Sequence, residues 1–362
     1  MSSHLFLNGV LHSVSDPYAT AVLVVDGVVA WLGSDESAAH VAGDEVPITD
    51  LDGAVLTPAF TEPGVPEEDA AGALGRGAAV TTVLARDAGS AAHLRRGLTP
   101  VRAVVHRPAG AAPEADAAGV WAGVGEDASA AELTELLIEA TARGEQVLLS
   151  LTADAGPAAQ QAALAALRAT AERLGEPALG LVRHRLGLTA AVGEQDRTLL
   201  AATSTAVTVA PDASGTLHAP LGSLLAAGVP VCLASGPHPS PWAAVRAGLE
   251  HPDPAERVTA RSAFTAATRT GLRALPDVPA AAVEAAPRLV VGAPATFALW
   301  RADAVAVQSP DTRVAAWSTD TRAGTPLLPA LEAGAPLPTW LGTWVDGEQA
   351  ADPEHAAARP TG

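Results

Sequence analysis

Short apolar runs alternate with Ala-rich stretches of helical period from about residue 56 to residue 250. The runs fall near 56–62, 79–85, 101–107, 119–124, 146–152, 178–184, 206–211 and 230–235, and each is expected as a strand. Helical patterns fill most of the gaps, most clearly over 130–143, 158–174 and 196–203. Gly97, Gly144, Gly175 and Gly228 stand where helices should end, because glycine accepts the left-handed conformation that closes a helix. Eight strand–helix units argue for an α/β fold, a parallel (β/α)8 TIM-like barrel. That barrel takes roughly 215 residues against the ~250 typical of the fold, so some units should lack a full helix. An open doubly wound sheet, which needs fewer strands, is the competing arrangement.

The flanks read differently. Val22–Val25 and Val28–Leu32 are β-branched runs around Asp26-Gly27, a hairpin signal. Further short β segments are expected near 5–10 and 48–53. Beyond helical patterns at 242–249 and 259–272, β patterning returns at 288–291, 296–301 and 341–345. The expected organisation is a small β-sandwich built from both chain ends (1–55 and 288–349), a barrel over 56–287, and a disordered Ala/Pro-rich tail over 350–362.

Composition narrows the function. Net charge is −18 at pH 7, which disfavours nucleic acid or an anionic membrane as a partner. No Lys occurs, so neither a Schiff base nor a carbamylated lysine ligand is available. The single Cys232 excludes an intrachain disulfide, and no apolar run approaches the roughly 20 residues needed to span a bilayer. A cytoplasmic location is expected. The sequence contains no nucleophile elbow, Walker loop, dinucleotide fingerprint or C-x-x-C pair.

One stretch anchors a family resemblance. Leu56-Thr57-Pro58-Ala59-Phe60-Thr61-Glu62 resembles the segment that opens the barrel of the amidohydrolase superfamily, V-L-P-G-F-[IV]-D-x-H-x-H. Val25–Gly33 is similar to that superfamily's early hairpin, Ala227–Gly236 to its strand-eight segment, and Val291–Trp300 to the return into the small domain. The closest flavour is the YtcJ-like branch. The resemblance implies hydrolysis of C–N bonds by one or two divalent metals, zinc or another, held by His and carboxylate side chains at the barrel mouth.

Carried over residue by residue, the implied ligand positions are Gly64, Pro66, Ser150, Leu188 and Gly236. None is a competent ligand alone. The expectation is therefore no metal and no other cofactor, in an amidohydrolase-like pseudoenzyme that binds a small molecule in the barrel mouth or a protein partner (a homo-oligomer or an active homologue). The alternative is a hydrolase of non-peptide C–N bonds through a relocated or metal-free site. Glu62, His106, Asp154 and His238 are the pocket candidates for it, because all would fall at one face of the barrel. His184 matches a position that is not a ligand. His4, His12, His40, His93, His251 and His355 are expected at the surface, and Cys232 inside a strand.

Overall fold

The computed structural model describes residues 2–43, 45–152, 155–275, 287–308, 317–318 and 325–354. Eight parallel strands follow one another round a single sheet in strict chain order: Phe60–Pro66, Ala78–Leu84, Arg102–Pro108, Gly119–Val124, Gln146–Leu151, Arg185–Leu188, Ala206–Val209 and Val231–Leu233. A doubly wound sheet would reverse its order part-way, and this one does not. Seven of the eight neighbouring junctions are backbone ladders. The eighth, between the first and last strands, is joined by side chains: Ser235, just past the last strand, bonds through its hydroxyl and its backbone N–H to the Glu62 carboxylate.

Helices cover the outside. Ala130–Ala142, Pro157–Leu174, Glu194–Ala202 and Pro241–Leu249 lie where the apolar period places them. Ser129 caps the first of these by accepting from the Glu132 N–H, the S-x-x-E pattern of a capping box. Between the third and fourth strands there is no helix, which is how the barrel stays short. After the first strand the chain forms a 3-10 helix, Glu67–Arg76, ending at Gly77 with φ 78°.

Two expected strands move. The first barrel strand begins at Phe60, because Val55–Pro58 pairs with Phe297–Arg301 in the small domain. The sixth is not at 178–184. That apolar run is the helix Glu176–Val182, closed by Arg183 at φ 51°, and the strand starts at Arg185. Residues 288–291 form no strand, and Glu348–Ala351 is one, so the sheet runs past 349 into the expected tail.

Both chain ends build two stacked sheets. Ala21–Val25 lies between Val28–Gly33 and Ser3–Leu7, and Ser3–Leu7 also pairs with Ile48–Asp50. The facing sheet orders Val10–Leu11, Val55–Pro58, Phe297–Arg301, Thr339–Val345 and Glu348–Ala351. Phe6 of the first sheet meets Phe297 and Trp344 of the second edge to face, at 5.4 and 5.7 Å. A second aromatic group ties this domain to the barrel: Phe60, Trp242, Phe264 and Trp300, with Phe60 5.1–5.6 Å from the other three. All four Phe of the chain lie in these two clusters, so a core otherwise made of Ala, Val and Leu concentrates its aromatic area at the junction.

Candidate functional site

The barrel interior is closed by a charged residue. Arg185 opens the sixth strand and is fully buried. Its guanidinium donates to the Pro63 carbonyl, to Thr82 Oγ1 at 3.4 Å and to the Gly271 carbonyl at 3.2 Å, and among the described residues no carboxylate pairs with it. The short helix Thr270–Arg273 plugs this end, with Leu272 and Leu275 packed on Val80 and Val104. Cys232 lies in the same core with Ala206 and Ala274, its thiol pushed up by burial.

His106 is in the barrel wall and not at its mouth. It is fully buried, and its Nε2 lies 3.0 Å from Gln146 Oε1. Gln146 spends its amide N–H groups on the Arg183 and Ala274 carbonyls, so Oε1 accepts and His106 Nε2 carries the proton. Burial, and then the Arg185 charge, hold the imidazole down at about 4, so it is neutral at pH 7. Glu62 is equally committed. Burial pushes its carboxyl up, opposed by the Ser235 hydrogen bonds and by Arg76. His238 is half-buried on the loop after the eighth strand and donates to the Asp212 carbonyl at 2.8 Å. Asp154 lies outside the described residues. Glu62, His106 and His238 are therefore not brought together. Among the described residues no three His, Cys, Asp or Glu side chains converge as a metal site would require.

The ligand-equivalent positions do not fit a metal. Leu188 is buried and apolar, and Pro66 is exposed. Gly64 faces open space: a Cβ added there would have Leu148 Cδ1 as its nearest neighbour, at 4.0 Å. Ser150 is half-buried. Gly236 is closed to any side chain: its φ is 62°, and a Cβ there would sit 2.7 Å from the Pro211 carbonyl oxygen. The position where the superfamily resemblance implies a catalytic Asp thus cannot hold one without moving the backbone.

Sequence reasoning missed one polar cluster at the mouth. On the loop after the seventh strand, Asp212 Oδ2 accepts from His218 Nε2 at 3.0 Å, while Oδ1 accepts from the Ser214 and Thr216 N–H groups and the Ser214 hydroxyl. The Ser214 and His218 hydrogen bonds hold the Asp212 carboxyl well below the usual carboxylate range. An ionised Asp212 fixes the His218 proton on Nε2 and leaves Nδ1 as the basic atom. The run Asp212-Ala213-Ser214-Gly215-Thr216 is an Asx-turn signal that marks this loop in the sequence. His12 and His251, expected at the surface, are buried, and so is His184, which donates to Thr141 and accepts from the Val147 N–H.

No family model and no curated protein matches the chain. Solved structures do. An amidohydrolase from an environmental sample of the Sargasso Sea superposes with a TM-score of 0.64 at 16% identity, covering 97% of this chain and 93% of that one. N-isopropylammelide isopropylaminohydrolase from Burkholderia multivorans gives 0.62 at 15%, covering 97% and 99%. The fold is that of the amidohydrolases. A triazine hydrolase variant shares it over the whole of this chain, with a TM-score of 0.61 at 13% identity. The amidohydrolase fold here includes the small domain as well as the barrel, since nearly the full length is matched in each case. Among the described residues no helix is long and apolar enough to cross a membrane.

Proposed function

We propose that this is an amidohydrolase-fold protein that has given up metal-dependent hydrolysis and keeps the barrel mouth as a binding surface for a small molecule or a protein partner. The observation that carries this reading is Gly236. Its left-handed backbone and the Pro211 carbonyl leave no room for the acid the reaction needs. The committed partners of Glu62 and His106 support it, since neither side chain is free to take a metal. The test is calorimetric titration of the purified, untagged protein with Zn2+ and Mn2+. No saturable binding is expected. One-equivalent binding that disappears in Glu62→Gln or His106→Ala overturns the proposal.

A second reading draws on the Asp212–His218 pair. An imidazole oriented by a carboxylate at the barrel mouth can act as a general base without metal. One fold neighbour is an N-isopropylammelide isopropylaminohydrolase and another a triazine hydrolase variant, so N-isopropylammelide and triazines are the compounds to assay. Turnover lost in His218→Ala and in Asp212→Asn, and unaffected by chelator, favours this reading over the first.

A further inference from the structure

A cavity of about 500 Å3 lies away from the barrel mouth, between the helix Ala260–Thr268 and the small domain. Three guanidinium groups line it. Arg261 in the helix and Arg269, its C-cap, stand four residues either side of Thr265, and Arg288 joins them from a separate segment. The floor is apolar, with Phe264 and Leu289 buried. His12 reaches in from the small domain, anchored by its Nδ1–H on the Leu327 carbonyl at 2.9 Å and packed edge-on against Phe264 at 5.0 Å.

Among the described residues these cations are uncompensated. No carboxylate among the described residues pairs with Arg261, Arg269 or Arg288, and Arg288 Nε is buried with no hydrogen-bond partner. The chain has 40 acidic residues against 22 basic ones, so partners for surface arginines are plentiful. Arg86, which lines another cavity, has one in Glu68. Arg269 and Arg288 are half-buried and Arg261 is exposed, and like charges held together without a counter-charge repel one another. Burial, and then the charges of Arg273, Arg288 and Arg261, depress Arg269. His12 is held down to about 4 by burial, with Arg261 and Arg269 adding to it.

We infer that this cavity binds a small molecule carrying an oxyanion, carboxylate or phosphate, on an apolar body. The planar fork of arginine matches such groups bidentately, and Phe264, Leu289 and the neutral His12 ring offer the remainder of the ligand a dry face. The volume is in the range that accommodates a ligand of drug size. The site does not depend on the reading of the barrel mouth, because none of its residues belongs to that cluster.

The test uses the full-length protein, with inorganic phosphate and benzoate as probes and chloride to hold ionic strength constant. A thermal midpoint that climbs with probe concentration is expected, as mass action requires of a ligand that binds only the folded state. Arg269→Gln and Arg288→Gln should each weaken the apparent affinity at least tenfold. Arg301→Gln, which removes an exposed arginine paired with Asp52, should leave it unchanged. In chloride alone the two site variants should melt no lower than the parent, because each relieves repulsion. A response that survives Arg269→Gln/Arg288→Gln overturns the inference, and so does no response to either anion. Variants that melt much lower in chloride, from a parent that ignores both probes, would show that the chain's own acids fill the role.

Discussion

Ser235 closes the barrel by donating its hydroxyl to Glu62, the only described junction between the first and last strands that rests on side chains in place of a backbone ladder. Removing the hydroxyl leaves a buried carboxyl short of its main partner. Ser235→Ala should cost on the order of 1–3 kcal/mol in denaturant unfolding. Glu62→Gln keeps an acceptor for Ser235 and removes an ionisable group whose carboxyl is raised by burial. That group penalises the fold once pH exceeds its ordinary range. Glu62→Gln should therefore stabilise at neutral pH, and the gain should fade as pH falls below about 4.5.

Three buried histidines set the acid limit of the fold. His12, His106 and His184 are each held at about 4, from an ordinary value of 6.5, with burial the leading cause in every case. The unfolded chain binds their protons first. Stability is therefore full above pH 6.5 and is lost as pH falls from there through 4, by up to roughly 3 kcal/mol per histidine. Unfolding free energy measured across pH 4–7 should show this slope, and His184→Gln should flatten it. A flat profile in the parent would contradict the buried neutral state.

Arg185 and His106 are electrostatically linked inside the barrel. Arg185→Leu strips donors from the Pro63 and Gly271 carbonyls and should cost about 3 kcal/mol. It should also raise the His106 pKa above 4 while leaving it below 6.5, because burial remains. NMR titration of the imidazole reads the shift. No movement would mean that the two groups do not sense one another.

Gly236 should resist introduction of an acidic side chain. Gly236→Asp places a Cβ 2.7 Å from the Pro211 carbonyl at φ 62°. A cost of about 2 kcal/mol or more is expected in thermal or denaturant melts. Gly64→His meets nothing closer than 4.0 Å and should be tolerated within about 1 kcal/mol. Equal tolerance of both changes would mean that the Pro211 carbonyl is no barrier to an acid at that position.

Most of the barrel was legible because its strands are apolar runs and its helices carry an apolar stripe. The sixth strand was not. Leu179-Gly180-Leu181-Val182 is as apolar as a strand, yet it forms a helix, and the true strand opens on a charged residue that no hydropathy pattern places in a core. The first strand was blurred because Val55–Pro58 and Phe60–Pro66 are nearly continuous in sequence but belong to different sheets. At the mouth, the ligand-equivalent positions rest on the family resemblance and on single residue identities. His106 was misplaced because its partner, Gln146, is 40 positions away on another strand and carries no motif. Asp212 and His218 escaped because a loop has no period to read.

The small domain's strand Val55–Pro58 has a timing problem. Thr57 and its partner Trp300 are 243 residues apart. At the usual rate of translation, roughly 5–20 residues per second, that strand waits some 10–50 s on the ribosome for the segment that pairs with it. During that interval Val55–Pro58 offers an unpaired apolar edge, the kind of template that another nascent chain on the same message can join. Synthesis speed and the spacing of ribosomes should thus affect how much of this protein reaches its native form, whatever its final stability.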